Sequence, residues 1–107
     1  MVAQSGSGKS GVLIVQSGPN AGESFGLVEG DNLIGRDSGE CAVVLRDDTV
    51  SRVHALIRRE GDRFVVFDLG SRTGTKVNGE EVRGHRLSAG EVISMGRSEV
   101  VLMRIDS

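Results

Sequence analysis

No window of about eleven or more residues in this chain carries its apolar side chains at the spacing of a helical face. The apolar residues come instead in short runs: 11–16, 24–28, 32–36, 42–46, 54–59, 63–68, 75–77, 81–83, 91–95 and 99–105. Turn-forming groups separate them, among them Gly18-Pro19-Asn20-Ala21-Gly22, Asp37-Ser38-Gly39, Gly61-Asp62, Asn78-Gly79 and Ser88-Ala89-Gly90. Residue types agree with the spacing. There are 15 Val and 5 Ile against 5 Ala, and branched Cβ atoms pack well on a pleated surface. With 16 Gly and only 1 Pro, many turns at positive φ are expected. Many short strands at such intervals predict an all-β sandwich or barrel. Gly61-Asp62 and Asn78-Gly79 read as hairpin turns, the second of type I′. Pairing run 99–105 with run 11–16 would hide both from water and bring the termini together.

The length of 107 residues suits one domain, read as residues 11–107 behind a polar, flexible arm of residues 1–10. A net charge of −2 without Trp or Tyr argues against nucleic-acid binding. Nothing approaches the roughly 18 consecutive apolar residues of a membrane span, and the first residues lack a signal-peptide core, so a cytoplasmic setting is expected. One cysteine and two histidines are too few for a structural zinc site, and neither a metal nor a cofactor is expected. Cys41 reads as a small strand residue, and His85 as surface in a polar turn. No Ser-His-Asp or Cys-His arrangement predicts catalysis. Residues 3–10, Ala-Gln-Ser-Gly-Ser-Gly-Lys-Ser, match a loose phosphate-loop pattern. That loop works between a strand and a helix, and here a Val-rich strand follows. Nucleotide binding through Lys9 is therefore a remote alternative.

Three turn segments share a vocabulary suited to an anion: Gly35-Arg36-Asp37, Ser51-Arg52-Val53-His54 and Gly70-Ser71-Arg72-Thr73-Gly74-Thr75. Arginine offers a planar fork matching phosphate oxygens, hydroxyls donate single hydrogen bonds, and glycines let backbone N–H groups approach. Each segment lies at the end of a strand-like run. If the three meet at one rim, a slightly acidic chain carries a local basic pocket.

These residues resemble the signature of forkhead-associated (FHA) domains: Gly35-Arg36, then Ser51-x-x-His54, then Asp68 to Gly79. Gly18-Pro19 with Gly22, and Leu87-x-x-Gly90-Glu91-x-Ile93, extend the similarity over roughly residues 11 to 105. The resemblance implies a twisted sandwich of about eleven mainly antiparallel strands, with recognition loops at one end. It also implies binding of phosphothreonine in a peptide, in preference to phosphoserine. Carried over by position, Arg36 and Ser51 hold the phosphate, with Arg72 where many members have Thr or Ser. Arg52 and Thr73 fall at peptide-contact positions, and Lys76 and Asn78 are further candidates. Gly35, His54, Gly74 and Thr75 support the site. Thr73 replaces the asparagine usual in the family, which trades a two-way amide for a short hydroxyl.

Against these roles stand blander ones. Arg36 would be a surface residue paired with Asp37 or Asp68, and Arg58 and Arg59 a solvated face; Asp47 and Asp48 are expected to make the pocket rim partly acidic, which disfavours acidic peptides. The expected activity is recruitment of a Thr-phosphorylated protein, a Ser/Thr kinase or its substrate, by a monomeric, non-enzymatic module. The alternative is a phosphate-independent assembly module of the same fold.

Overall fold

The computed structural model describes residues 9–106. Eleven strands follow one another: β1 (Lys9–Ser17), β2 (Ser24–Leu27), β3 (Gly30–Gly35), β4 (Val43–Val44), β5 (Ala55–Glu60), β6 (Arg63–Asp68), β7 (Thr75–Val77), β8 (Glu80–Glu81), β9 (Gly84–Arg86), β10 (Val92–Met95) and β11 (Ser98–Asp106). They form two sheets, ordered β2-β1-β11-β10-β7-β8 and β4-β3-β5-β6-β9. Every pairing is antiparallel except β3 with β4. The fold is a β-sandwich, which resolves the choice between sandwich and barrel.

Alternation along the strands explains the two layers. In β1, Leu13 and Val15 are buried while Ile14 and Gln16 are exposed. In β5 and β6, Ala55, Ile57, Phe64 and Val66 turn inward to meet Ile93, Met95, Val100 and Leu102 from the other sheet. The pairing of β1 with β11 is as expected, from Lys9 opposite Asp106 to Ser17 opposite Glu99. It sets the two strand ends beside each other. At Asn78 and Gly79, φ is 50° and 86°, as a type I′ turn requires, and the turn joins β7 to β8.

Several details correct the sequence reading. His85, expected in a polar turn, lies in strand β9. That strand pairs with β6, and the His85 ring meets the Glu91 carboxylate at 3.2 Å. Cys41 lies in the loop after β3, buried, with its Sγ bonded to the Arg52 carbonyl. Arg58 does belong to a solvated face, beside Asp31. Arg59 instead lies close on the Phe64 ring and donates to the Leu27 carbonyl. Lys9 and Ser10 belong to β1. The strand at Lys9 leaves no helix for a phosphate loop. Residues 1–8, the rest of the arm, lie outside the described residues.

Candidate functional site

The sandwich end opposite to Lys9 and Asp106 gathers the loops after β3, β4, β6 and β10. Three of them carry the segments singled out above, and their hydrogen bonds join into one network. At the end of β3, Gly35 is buried, and a Cβ there would lie 2.2 Å from the Arg52 carbonyl oxygen. Only glycine lets the β4–β5 loop come so close. The next residue, Arg36, donates its backbone N–H to the Ser51 carbonyl and its Nε–H to the Val50 carbonyl, at 3.1 and 3.0 Å. Its side chain is exposed, and no carboxylate of the described residues lies within 4 Å of its guanidinium. The expected competitors are engaged elsewhere: Asp37 pairs with Arg52 at 2.8 Å, and Asp68 bonds to its own loop.

Ser51 is the junction. Its Oγ accepts the Arg72 backbone N–H at 3.0 Å and keeps its own proton to donate. Its N–H is given to His54 Nδ1 at 3.0 Å. Because Nδ1 accepts, Nε2 carries the ring proton and donates it to the Gly74 carbonyl at 2.8 Å. Buried His54 thus ties the second loop to the third. Arg72 reaches the Asp48 carbonyl at 3.4 Å. Thr73 donates its hydroxyl to the Thr49 carbonyl at 3.0 Å, so it has only lone pairs left to offer.

The structure places the remaining candidates unevenly. Gly74, at φ 84°, donates its N–H to Ser71 Oγ, and buried Thr75 donates to Asp68. Arg52 is exposed at the rim with its guanidinium on Asp37, which holds that carboxyl below its ordinary range. Lys76 is exposed on β7, on the six-stranded sheet's outer face. The exposed Asn78 side chain is engaged by its own chain: Oδ1 accepts the Val92 N–H and Nδ2 reaches Glu91.

Two aspartates to which the sequence reading gave no supporting role organise the loops of the site. Asp68 accepts from the Gly70 and Ser71 amides and from the hydroxyls of Ser71 and Thr75. The short Asp-x-Gly-Ser spacing is the local signal for such a turn. Asp47, expected on an acidic rim, is buried and turned inward. It accepts from the Thr49 amide and hydroxyl and from Ser98 Oγ at 2.7 Å. The Asp-x-Thr spacing hints at the first contact, but nothing local points to Ser98 in the other sheet. Of the expected rim only Asp48 is exposed.

Burial alone would raise both carboxyls, but these hydrogen bonds outweigh it and hold Asp47 and Asp68 below the usual aspartate range. A pKa lower in the folded chain stabilises the fold above the unfolded value, about 3.9. That stability is lost as pH falls through the lower folded value. Urea midpoints are therefore expected to hold near neutrality and drop below about pH 4. In Asp68→Asn the acid drop should be shallower than in the parent. Parallel acid profiles would refute this account of the loop.

The assembled rim presents the exposed guanidinium groups of Arg36 and Arg72, the Ser51 hydroxyl proton and glycine-flanked amides. It suits an oxyanion with several acceptor oxygens and two charges. Comparison with known proteins follows the same line. A family model described as FHA domain matches residues 32–96. An oxoglutarate dehydrogenase inhibitor of Corynebacterium jeikeium is 42% identical over 94 residues, which cover 88% of this chain and 65% of that protein. The glycogen accumulation regulator GarA of Mycolicibacterium smegmatis is 40% identical over 94 residues, 88% of this chain and 59% of its own. The chain thus spans less than two thirds of either relative. A structure solved for phosphothreonine-dependent FHA domain interactions superposes with a TM-score of 0.82 at 37% identity, covering 88% of this chain and 95% of that one. The FhaA FHA domain, solved in complex with an intracellular protein domain, superposes at 0.81 with 36% identity, covering 87% and 99%.

Proposed function

The chain belongs to the FHA domain family, and from that premise we propose that it is a non-enzymatic module that binds phosphothreonine peptides. Arg36 and Ser51 grip the phosphate and Arg72 assists. The partner is a Thr-phosphorylated protein, a Ser/Thr kinase or its substrate, met in the cytoplasm. Two similar proteins are named as regulators of metabolism, and metabolic enzymes are the first partners to test.

One observation supports this reading above the rest. The Arg36 guanidinium is exposed without a carboxylate partner beside Ser51, whose Oγ is already fixed by the Arg72 amide. A preformed cationic rim needs little reorganisation to take a dianion. Phosphate brings about −1.5 to −2 charges and three acceptor oxygens. Two or three charge-assisted bonds contribute roughly 1.5–3 kcal/mol each, and ordering the peptide removes part of that. Micromolar affinity, about −8 kcal/mol, is the expected balance.

Calorimetric titration with one peptide in four versions tests the proposal. The phosphothreonine form should bind and the unphosphorylated form should not. The Glu form should fail, because it has one charge and two oxygens, and the family resemblance puts phosphoserine well below phosphothreonine. Equal binding of phosphorylated and unphosphorylated peptides would reject a phosphate site. The Thr73 hydroxyl, already donated to Thr49, keeps a phosphate-independent assembly role as the second reading. Capture of an unphosphorylated partner that survives Arg36→Ala would select it.

A further inference from the structure

Beside the phosphate rim, a groove of about 530 Å³ runs over the six-stranded sheet's outer face. It is lined by Thr73, Lys76, Ser94, Arg97, Glu99 and Ser17, among others. The register makes it a straight track: Lys76 lies opposite Ser94, Ser94 opposite Glu99, and Glu99 opposite Ser17. Strands about 4.8 Å apart put Glu99 roughly 10 Å from Lys76, the length of about three residues of extended peptide. Thr73 belongs both to the phosphate rim and to this groove, so a peptide leaving the rim on that side enters the track directly.

The charges on the track are unevenly committed. Lys76 and Arg97 are exposed, and among the described residues neither has a carboxylate within 4 Å. Glu81, opposite Lys76 on β8, faces the position a Gly74 Cβ would take. Asp47 lies near Arg97, but its oxygens are engaged by Thr49 and Ser98. Glu99 accepts from Ser17 Oγ at the far end. Two cations therefore face the first stretch of the groove, and an anion faces the last.

We infer that this groove selects the charge of the peptide arm that passes Thr73: an acidic side chain over Lys76 and Arg97, with further acidic residues rejected at Glu99. The inference rests on the phosphopeptide reading and adds the feature by which one phosphothreonine is told from another. Neither Arg97 nor Glu99 stood out in the sequence, because each looks like an ordinary charge in a short turn or strand.

The test uses the whole chain and fluorescein-labelled, alanine-rich phosphothreonine peptides. These carry a Glu pair or a Lys pair, either before or after the phosphothreonine. On one flank the parent should prefer Glu over Lys by roughly five- to tenfold, and the preference should shrink as salt is raised. The double variant Lys76→Glu with Arg97→Glu should invert that ratio, and Lys76→Gln with Arg97→Gln should flatten it. The readout is the ratio between flanks, so a general loss of affinity does not imitate it. Phosphate-dependent binding with the same flank ratios in parent and variants would overturn the groove while leaving the phosphate site standing. No phosphothreonine-dependent binding by the parent would overturn both.

Discussion

Arg36→Ala is expected to weaken phosphothreonine-peptide binding by at least about 100-fold while leaving the fold nearly as stable as the parent. The guanidinium offers charge-assisted bonds to phosphate worth roughly 1.5–3 kcal/mol each, and losing two of them takes a micromolar complex beyond ordinary titration. The structural cost is small because the side chain is exposed and, among the described residues, makes one hydrogen bond, Nε–H to the Val50 carbonyl. That bond is worth about 1 kcal/mol. The backbone N–H that ties residue 36 to Ser51 is untouched by the substitution. Arg36→Lys should recover only part of the affinity, because a point charge replaces a planar fork. Titration and urea unfolding on the same samples separate the two effects. A variant that binds as tightly as the parent would mean that the phosphate sits elsewhere on the rim or nowhere.

How much of this was readable beforehand depends on the range of the interaction. The β1–β11 pairing was legible because both strands are apolar and each needs a partner. Asn78-Gly79 was legible because its turn chemistry is local and both residues reach positive φ. Strand β9, Gly-His-Arg, has no apolar pattern, since it is an edge strand defined by its bonds to β6. Asp47 misled for the opposite reason. A charged residue between Arg46 and Asp48 reads as solvated, yet it is satisfied by Ser98, 51 positions away. The site shows the same division. That Arg36, Ser51 and Arg72 lie in the segments between strands followed from spacing. Their convergence rests on contacts no local pattern encodes: His54 reaching Gly74, and Arg72 reaching Ser51.

The close approach of two loops at Gly35 makes the second large prediction. In Gly35→Ala the added Cβ would stand 2.2 Å from the Arg52 carbonyl oxygen, 2.8 Å from its carbon and 3.0 Å from Cys41 Sγ. Two of these neighbours are backbone, so no side-chain rotation relieves the clash. The residue is not among those at positive φ, so the effect is one of space and not of backbone conformation. The Arg52 carbonyl accepts from the Asp37 N–H and from Cys41, and the Ser51 carbonyl beside it accepts from the Arg36 N–H. Pushing the loop away strains all three bonds and separates Arg36 from Ser51. Overpacking of about 1–3 kcal/mol with one or two weakened bonds gives an expected loss of about 3 kcal/mol. For a domain of this size that lowers Tm by roughly 12–24 °C. Phosphopeptide binding should fall with it, even below the melting range, because Arg36 and Ser51, the proposed phosphate grip, no longer share one rim. Gly26→Ala is the matched control. Its Cβ meets nothing within 4 Å and its φ is not positive, so its Tm should stay near the parent's or rise slightly. If Gly35→Ala melts alongside that control and still binds, the loops have room to part without loss. The site then owes its geometry to the His54 and Asp68 hydrogen bonds alone.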